Sequence, residues 1–499
     1  MSVDTRVPVP AETTVSPPPL LRRKPFRRRA RTVVVLAPFL MALALGLWGI
    51  RRENTLWGDE AVTYALAQRD LSQIWRTAQH VDLVHALHYA LMHVVFDLFG
   101  AGLLTLRLPS VLAMAAAASA VGLLGLRLAG PRVGLLARLV FPLLPHVQKY
   151  AQEGRSYALV CALVAWATYA LVGVVARPTR GRWALYGGTM LLASLLHEFA
   201  VLALVAHGVT LFVSRVPRPV LRAWAVTAAA VVTGLVPLVL RSAAQAEQVA
   251  WIEAPVRLPG FALVAVLGLV RAFAPVERRS GRPVRLPLLA VPLVVLPCLL
   301  LLAASLVKPL FVDRYVLYSH VGIALLLGSG VDHVRRLRRS SGNPWITAVI
   351  GVAAVSVLAA LVPTTLELRT PAGRTNDATA VGAALRETGR PGDGLLYLPA
   401  QHRYWTEPNP GDTHAMTDLA LAESPVASHT LAGVELPAPV IAARMLRFDR
   451  IVVVHGRAGA HLMGSPAEQA KTLTLRRHFR ARATAHVNGA RIVLYVRDR

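Results

Sequence analysis

The sequence predicts a polytopic α-helical membrane protein that ends in a soluble α/β domain. Apolar residues make up 55% of the chain and charged ones only 16%, with a mean hydropathy of +0.49. They gather in blocks of about 15 to 22 residues separated by short Arg-rich breaks, the pattern of successive membrane helices. After Pro363 that pattern stops, and charged residues, Gly-Asp turns and short β-prone runs replace it.

Residues 1–31 are Pro-rich and then basic (Arg22, Arg23, Lys24, Arg27, Arg28, Arg29, Arg31), which reads as a disordered cytoplasmic tail ahead of an uncleaved anchor. The first span is 32–50, so its exit is outside. Residues 84–100 hold His85, His88, His93 and Asp97 in a short amphipathic block. As a span they would put Arg127, Arg132 and Arg138 outside, so they are assigned to the outer interface. The spans continue at 108–128, 132–148, 157–176, 183–196, 199–214, 223–240, 259–275, 286–307, 315–331 and 345–362, about 11 transmembrane helices in all.

In this register the arginines of the loops near 127–138, 177–182, 215–222, 278–285 and 335–339 face the cytoplasm. The first outer loop, 51–106, carries six acidic residues against four basic ones. That asymmetry is the positive-inside rule. An odd count of spans places the N-terminus in the cytoplasm and residues 363–499 outside, on a multi-pass protein of the cell (plasma) membrane. Three organisational units follow: a tail (1–31), a transmembrane domain (32–362) and an extracytoplasmic α/β domain (363–499) with strands expected at Gly394 to Leu398, Arg450 to Val454 and Arg491 to Val496.

The formal charge of +27 would suggest nucleic acid in a soluble protein. Here the basic residues fall between apolar blocks, where bilayer orientation accounts for them, so nucleic acid is not implied. Cys161 and Cys298 both lie inside apolar blocks and read as small buried hydrophobes; no disulfide or metal framework is available.

The unusual polar residues collect at the outer ends of the spans, and ionisable groups at membrane depth are expensive enough to suggest function. The first group is Trp57-Gly58-Asp59-Glu60, followed by Asp82 with His85, His88 and Tyr89 at helical spacing. Its bland reading is a solvated loop whose next helix is capped by Asp82. The second is Gln152-Glu153-Gly154-Arg155-Ser156-Tyr157, preceded by Lys149 and Tyr150; a carboxylate stabilised at a helix start beside a snorkelling Arg would also explain it. The third is Lys308-Pro309-Leu310-Phe311-Val312-Asp313-Arg314-Tyr315, whose two cations suit a phosphate clamp, Arg314 giving two donors and Lys308 a point charge. The fourth, His197-Glu198, sits at a tight outer turn and reads equally well as a local pair.

Taken together the set resembles the GT-C glycosyltransferases, specifically the family-39-like membrane transferases related to protein O-mannosyltransferases and to the lipid A aminoarabinose transferase. The resemblance is carried by Trp57-Gly58-Asp59-Glu60, Asp82 with Tyr89, Phe99-Gly100 leading to Arg107-Leu108-Pro109-Ser110, Tyr150 to Leu159, and Pro309-x-Phe311-x-x-Arg314-Tyr315, in order across residues 32–330. Many relatives have His-Pro-Pro after the aspartate equivalent to Asp82, whereas this chain has Leu83-Val84-His85. The C-terminal domain matches no motif of the family.

The resemblance implies a GT-C-like transmembrane domain and inverting transfer of a sugar, with mannose one candidate, from a polyprenyl phosphate donor to a glycan, lipid or protein acceptor at the outer face of the bilayer. Asp59 is then the general base, with Glu60 orienting the acceptor or, with Asp59, a divalent cation such as Mg or Mn. Arg314, Lys308 and Arg155 stabilise the phosphate leaving group, Glu153 holds Arg155, and Asp82, His85, Tyr89, Lys149, Tyr157, His197 and Tyr315 complete the substrate site. A flippase or transporter for a lipid-linked sugar would need polar residues deep in several spans and two related halves, neither of which is seen. A sensor with an external ligand-binding domain would leave the loop carboxylates unexplained.

Overall fold

The structure, a computed structural model, describes residues 26–245, 283–341, 344–456 and 464–498. Most of the basic tail and the span expected at 259–275 lie outside the described residues. The other apolar stretches are helical: α1 Phe26–Leu47, α2 Gly58–Ala67, α3 Leu71–His80, α4 Ala86–Phe99, α5 Leu103–Ala129, α6 Pro131–Val140, α7 Pro145–Ala151, α8 Tyr157–Ala176, α9 Arg180–Leu196, α10 Leu202–Val213, α11 Arg218–Ala243, α12 Leu286–Ser305, α13 Ser319–Ser341 and α14 Pro344–Glu367. Among the described residues, four of them (α5, α8, α11 and α12) are both long and apolar enough to cross a bilayer by length and composition. The chain is a multi-pass membrane protein.

Helix α5 is the centre of the bundle, packing on α1, α6 and α8. Its alanines do this: Ala115, Ala117, Ala118 and Ala120 are fully buried, and small side chains let helix backbones approach closely where lipid supplies no hydrophobic driving force between helices. Backbones come close at Gly125 and Gly134, where a Cβ on Gly134 would lie 2.7 Å from the Leu126 backbone nitrogen. One expected span is broken. Residues 132–148 form α6, a 3-10 turn Phe141–Leu143 and α7, because Pro142 and Pro145 each remove a backbone donor and clash with the preceding turn.

The outer loop folds as α2, α3, a 3-10 turn Leu83–His85 and α4. Asp82 does not cap this turn by a side-chain bond; it sits in the left-handed region (φ 57°) and its carboxylate is used elsewhere.

Pro363 does not start the C-terminal domain. It lies inside α14, which runs on to Glu367. Beyond it comes a five-stranded sheet of order β2-β1-β5-β7-β6, with β1 Gly394–Leu398, β2 Thr417–Asp418, β5 Arg450–Gly456, β6 Phe479–Val487 and β7 Ala490–Arg497, while β3 Leu421–Glu423 and β4 Val434–Glu435 form a separate antiparallel pair. Strands β1, β2 and β5 are parallel, and β6-β7 is an antiparallel hairpin joined to β5. The all-apolar Leu395, Leu396, Tyr397 and Leu398 of β1 are buried on both faces, as a central strand covered by helices requires.

This domain is docked on the outer loop. Ala378 N–H donates to the Leu56 carbonyl (2.8 Å), Leu56 N–H to Thr379 Oγ1 (2.9 Å), and both Arg69 Nη atoms to the Thr430 carbonyl (3.2 Å each). Tyr404 packs against the apolar cluster of Val62, Leu66, Ile74 and Tyr89. The loop is therefore held between the bundle and the sheet domain.

Candidate active site

Helix α2 begins at Gly58, after Trp57 in extended conformation, and its first turn carries Asp59 and Glu60. Consecutive helical residues point about 100° apart, so the two carboxylates part company. Glu60 faces inward and has no exposed surface. Both oxygens accept from Arg52 Nη2 (2.8 and 2.7 Å) and from Arg107 Nε and Nη2 (2.8 and 2.7 Å), and Oε1 also accepts Gly154 N–H (3.1 Å). Burial pushes its carboxyl upward, but Arg107 and Arg52 outweigh burial and bring it down to about 2. Glu60 is the anion of a buried arginine cluster, with no lone pair left for acceptor or metal, which corrects the role expected of it.

Asp59 faces outward, its side chain 28% exposed, and lies 3.4 Å from Arg314 Nη2. Arg314 comes from the turn before α13; its Nε donates to the Tyr157 hydroxyl (3.1 Å) and its guanidinium lies over the rings of Tyr157 and Tyr315, 5.6 and 5.7 Å from their centroids. Such a placement fixes a planar, permanently charged group by cation–π contact. Arg155 approaches from the other side, donating to the Tyr89 hydroxyl (2.8 Å) and to Thr63 Oγ1 (3.4 Å). Tyr89 in turn donates to Asp82, whose carboxylate is 4.0 Å from Arg155 Nη2 and from His85 Nε2. Burial raises the Asp82 carboxyl despite Arg155 and Tyr89.

The wall is aromatic. His197 lies 4.6 Å from Tyr315, 5.5 Å from Tyr157 and 5.6 Å from His85, ring centroid to ring centroid, and Tyr315 stacks on Phe199. Burial, reinforced by Arg155 on His85 and by Arg314 on His197, lowers both imidazoles, His85 well below its ordinary value and His197 to about 3. Burial thus favours the neutral form of both histidines.

The structure thus brings together Asp59, Asp82, His85, Tyr89, Arg155, Tyr157, His197, Arg314 and Tyr315. Other expected members have different partners. Glu153 does not hold Arg155: it is buried, and its nearest cation is Arg374 of the segment leading into the sheet domain, with Nε 3.4 Å from Oε1; burial keeps its carboxyl raised in spite of Arg374. Lys149 extends over Tyr150 (5.3 Å). Lys308 has Glu198 as an electrostatic neighbour, and Glu198 accepts from Ser242 (2.9 Å).

Nor do Asp59 and Glu60 make a cation site. One faces an arginine and the other is saturated by two, and no group of three or more His, Cys, Asp or Glu among the described residues is arranged to hold a metal.

Sequence reasoning misses Arg52 and Arg107 as the partners of Glu60, and Arg374 as that of Glu153. Arg107 carries a signal, since a guanidinium at the start of an apolar helix demands a buried counter-charge. Also missed is Asp313, which accepts from the Tyr150 hydroxyl (3.0 Å) and contacts His146 Nε2 (3.1 Å) immediately beside Arg314.

Solved structures share this fold of a helical bundle with a C-terminal sheet domain. The chain superposes on ArnT from Cupriavidus metallidurans, a lipid A aminoarabinose transferase, in the apo state with a TM-score of 0.58 at 12% identity, covering 93% of this chain and 98% of that one. The same protein bound to undecaprenyl phosphate gives 0.54 at 13% identity over 94% and 98%. The apo Archaeoglobus fulgidus oligosaccharyltransferase gives 0.50 at 12% identity over 87% and 70%. No protein-family model and no curated protein sequence matches the chain.

Proposed function

We propose that this protein is an inverting glycosyltransferase that moves a hexosyl or pentosyl group from a polyprenyl phosphate donor to an acceptor hydroxyl at the outer face of the membrane, with Asp59 as general base. The observation that carries the reading is the half-buried, solvent-accessible Asp59 carboxylate beside Arg314, with Arg155 nearby. A base and two cations then face one point at the membrane surface. A groove of about 400 Å³ supports it, lined by Leu87, Leu91, Leu159, Leu163, Trp166 and Leu196. Leu87 and Leu91 lie on the helix that carries Tyr89, Leu159 and Leu163 on the one that begins at Tyr157, so the groove offers a lipid chain an apolar surface on another face of the same helices. The bound lipid phosphate of the structurally similar ArnT agrees with this.

In the reaction the acceptor oxygen attacks the anomeric carbon and gives its proton to Asp59, while the carbon–oxygen bond to phosphate breaks and its electron pair leaves with the phosphate. Arg314 and Arg155 meet the charge that grows on that leaving group, in a site where burial strengthens them. Donor entry parts the Asp59–Arg314 pair, giving the cation to the phosphate and freeing the carboxylate for the acceptor. Asp82 and Tyr89 hold Arg155, while Tyr157, Tyr315 and His197 wall the sugar. The reading includes about 11 spans, a cytoplasmic N-terminus and an external C-terminal domain in the plasma membrane.

The test is transfer from synthetic polyprenyl phosphate sugars in nanodiscs. Asp59→Asn should lower turnover by roughly 10² or more, the scale of a lost general base, and leave undecaprenyl phosphate binding intact. Near-normal turnover would remove Asp59 as base and turn the search to Asp82.

A further inference from the structure

The N-terminus of α2 is capped from outside its own segment. Trp57, the residue in capping position, makes no side-chain bond to the helix, which leaves the first amides to find partners elsewhere. The Gly58 N–H finds Asn376 Oδ1 at 2.6 Å, 318 positions away in the segment that leads into the sheet domain. Contact is so close that a Cβ at Gly58 would lie 3.0 Å from Trp405 Nε1 and 3.2 Å from the Asn376 amide. Asn376 is itself pinned from behind. A Cβ on Gly489, in the β6–β7 turn at φ +83°, would meet the Asn376 Cβ at 2.4 Å, and Asn488 of that turn donates to the Arg374 carbonyl (2.9 Å) and accepts Asp377 N–H (3.0 Å).

We infer that Asn376 is a positioning residue for the reaction: by capping α2 at Gly58 it holds the adjacent Asp59 in register with Arg314, so the sheet domain is part of the catalytic apparatus. Asp59 sits one residue inside the helix, where fraying is greatest without a cap. A carboxylate that must meet an acceptor hydroxyl within hydrogen-bond reach has little tolerance for that motion. The amide oxygen accepts the bond without adding charge beside the base.

This rests on the reading of Asp59 given above, so the test has one arm that does not. In the full-length protein in nanodiscs, hydrogen exchange of the 57–66 backbone should speed up in Asn376→Ala and stay at the wild-type rate in Asn376→Asp, which keeps an acceptor oxygen at a helix N-terminus. With a polyprenyl phosphate sugar that the wild type turns over, Asn376→Ala should lower kcat by about 10- to 100-fold, the cost of a small misplacement, with undecaprenyl phosphate affinity within twofold; Asn376→Asp, which keeps the bond but adds a charge beside the base, should lose less than Asn376→Ala. Unchanged exchange in Asn376→Ala, equal impairment of the two variants, or a parallel loss of lipid phosphate affinity would overturn the assignment. If Asp59→Asn proves fully active while exchange still responds to Asn376→Ala, the function of Asp59 fails and the cap stands.

Discussion

Arg107 and Glu60, 47 positions apart, form a two-bonded ion pair with no exposure on either side chain: Nε to Oε1 at 2.8 Å and Nη2 to Oε2 at 2.7 Å. Arg107 also donates to the Ile50 and Thr55 carbonyls, so one guanidinium ties α5 to both ends of the chain's first outer turn. The shared anion brings in Arg52 and the Gly154 amide. The pair is the buried fastening of the loop that carries Asp59.

Glu60→Gln should therefore act on stability before catalysis. It leaves two buried guanidiniums without their counter-charge, a class of change that costs about 3–5 kcal/mol, and thermal unfolding in detergent should show a large drop. The pH dependence follows from the same carboxylate: its folded pKa of about 2 lies below the ordinary 4.5, so its contribution is complete above 4.5 and is lost as pH falls from 4.5 toward 2. Glu60→Gln should lose that dependence, and a folded, wild-type-stable variant would refute the structural role.

Arg314 is predicted to separate shape from charge. Arg314→Ala should fold, because the carboxylate that loses its partner, Asp59, keeps access to solvent, yet it should bind undecaprenyl phosphate at least 10-fold more weakly, as expected for a charge-assisted pair worth about 1.5–3 kcal/mol. Arg314→Lys should recover binding only in part, since an ammonium cannot both donate to Tyr157 and present a second fork to phosphate. Equal affinity in wild type and Arg314→Ala would sink the clamp.

Glu153 and Arg374 join the bundle to the sheet domain, and a double-mutant cycle should register it. Arg374→Met leaves a buried carboxylate with its principal cation gone, and Glu153→Gln in that background removes the charge at fault. The coupling should be about 0.5–3 kcal/mol in thermal or denaturant unfolding, the range for residues in one network. Strict additivity would mean that the 3.4 Å pair carries no energy.

Much of the site is legible in the amino-acid sequence. Asp59, Asp82, Tyr89, Arg155, Tyr157, Arg314 and Tyr315 stand out because each is polar or aromatic at the edge of an apolar block, and such groups are rarely placed there without a use. The strand at Gly394–Leu398 is readable too, as a short apolar run between a Gly-Asp turn and a proline. What misleads is adjacency. Asp59 and Glu60 read as a working pair, and Glu153 and Arg155 as another, because neighbours in sequence look like neighbours in space.

Composition and the spacing of apolar blocks, by themselves, determine that this chain is a membrane bundle with a separate sheet domain, and they place its polar motifs at the ends of helices; these follow from local chemistry, the cost of burying charge in lipid and the two side-chain periods of helix and strand. Only the tertiary structure decides which partner each charge takes. A helix turns its consecutive residues about 100° apart, so Asp59 faces Arg314 while Glu60 turns to Arg52 and Arg107, and Glu153 reaches past Arg155 to Arg374. Those pairings depend on contacts between residues as far apart as Gly58 and Asn376, which packing brings together and which no local pattern encodes.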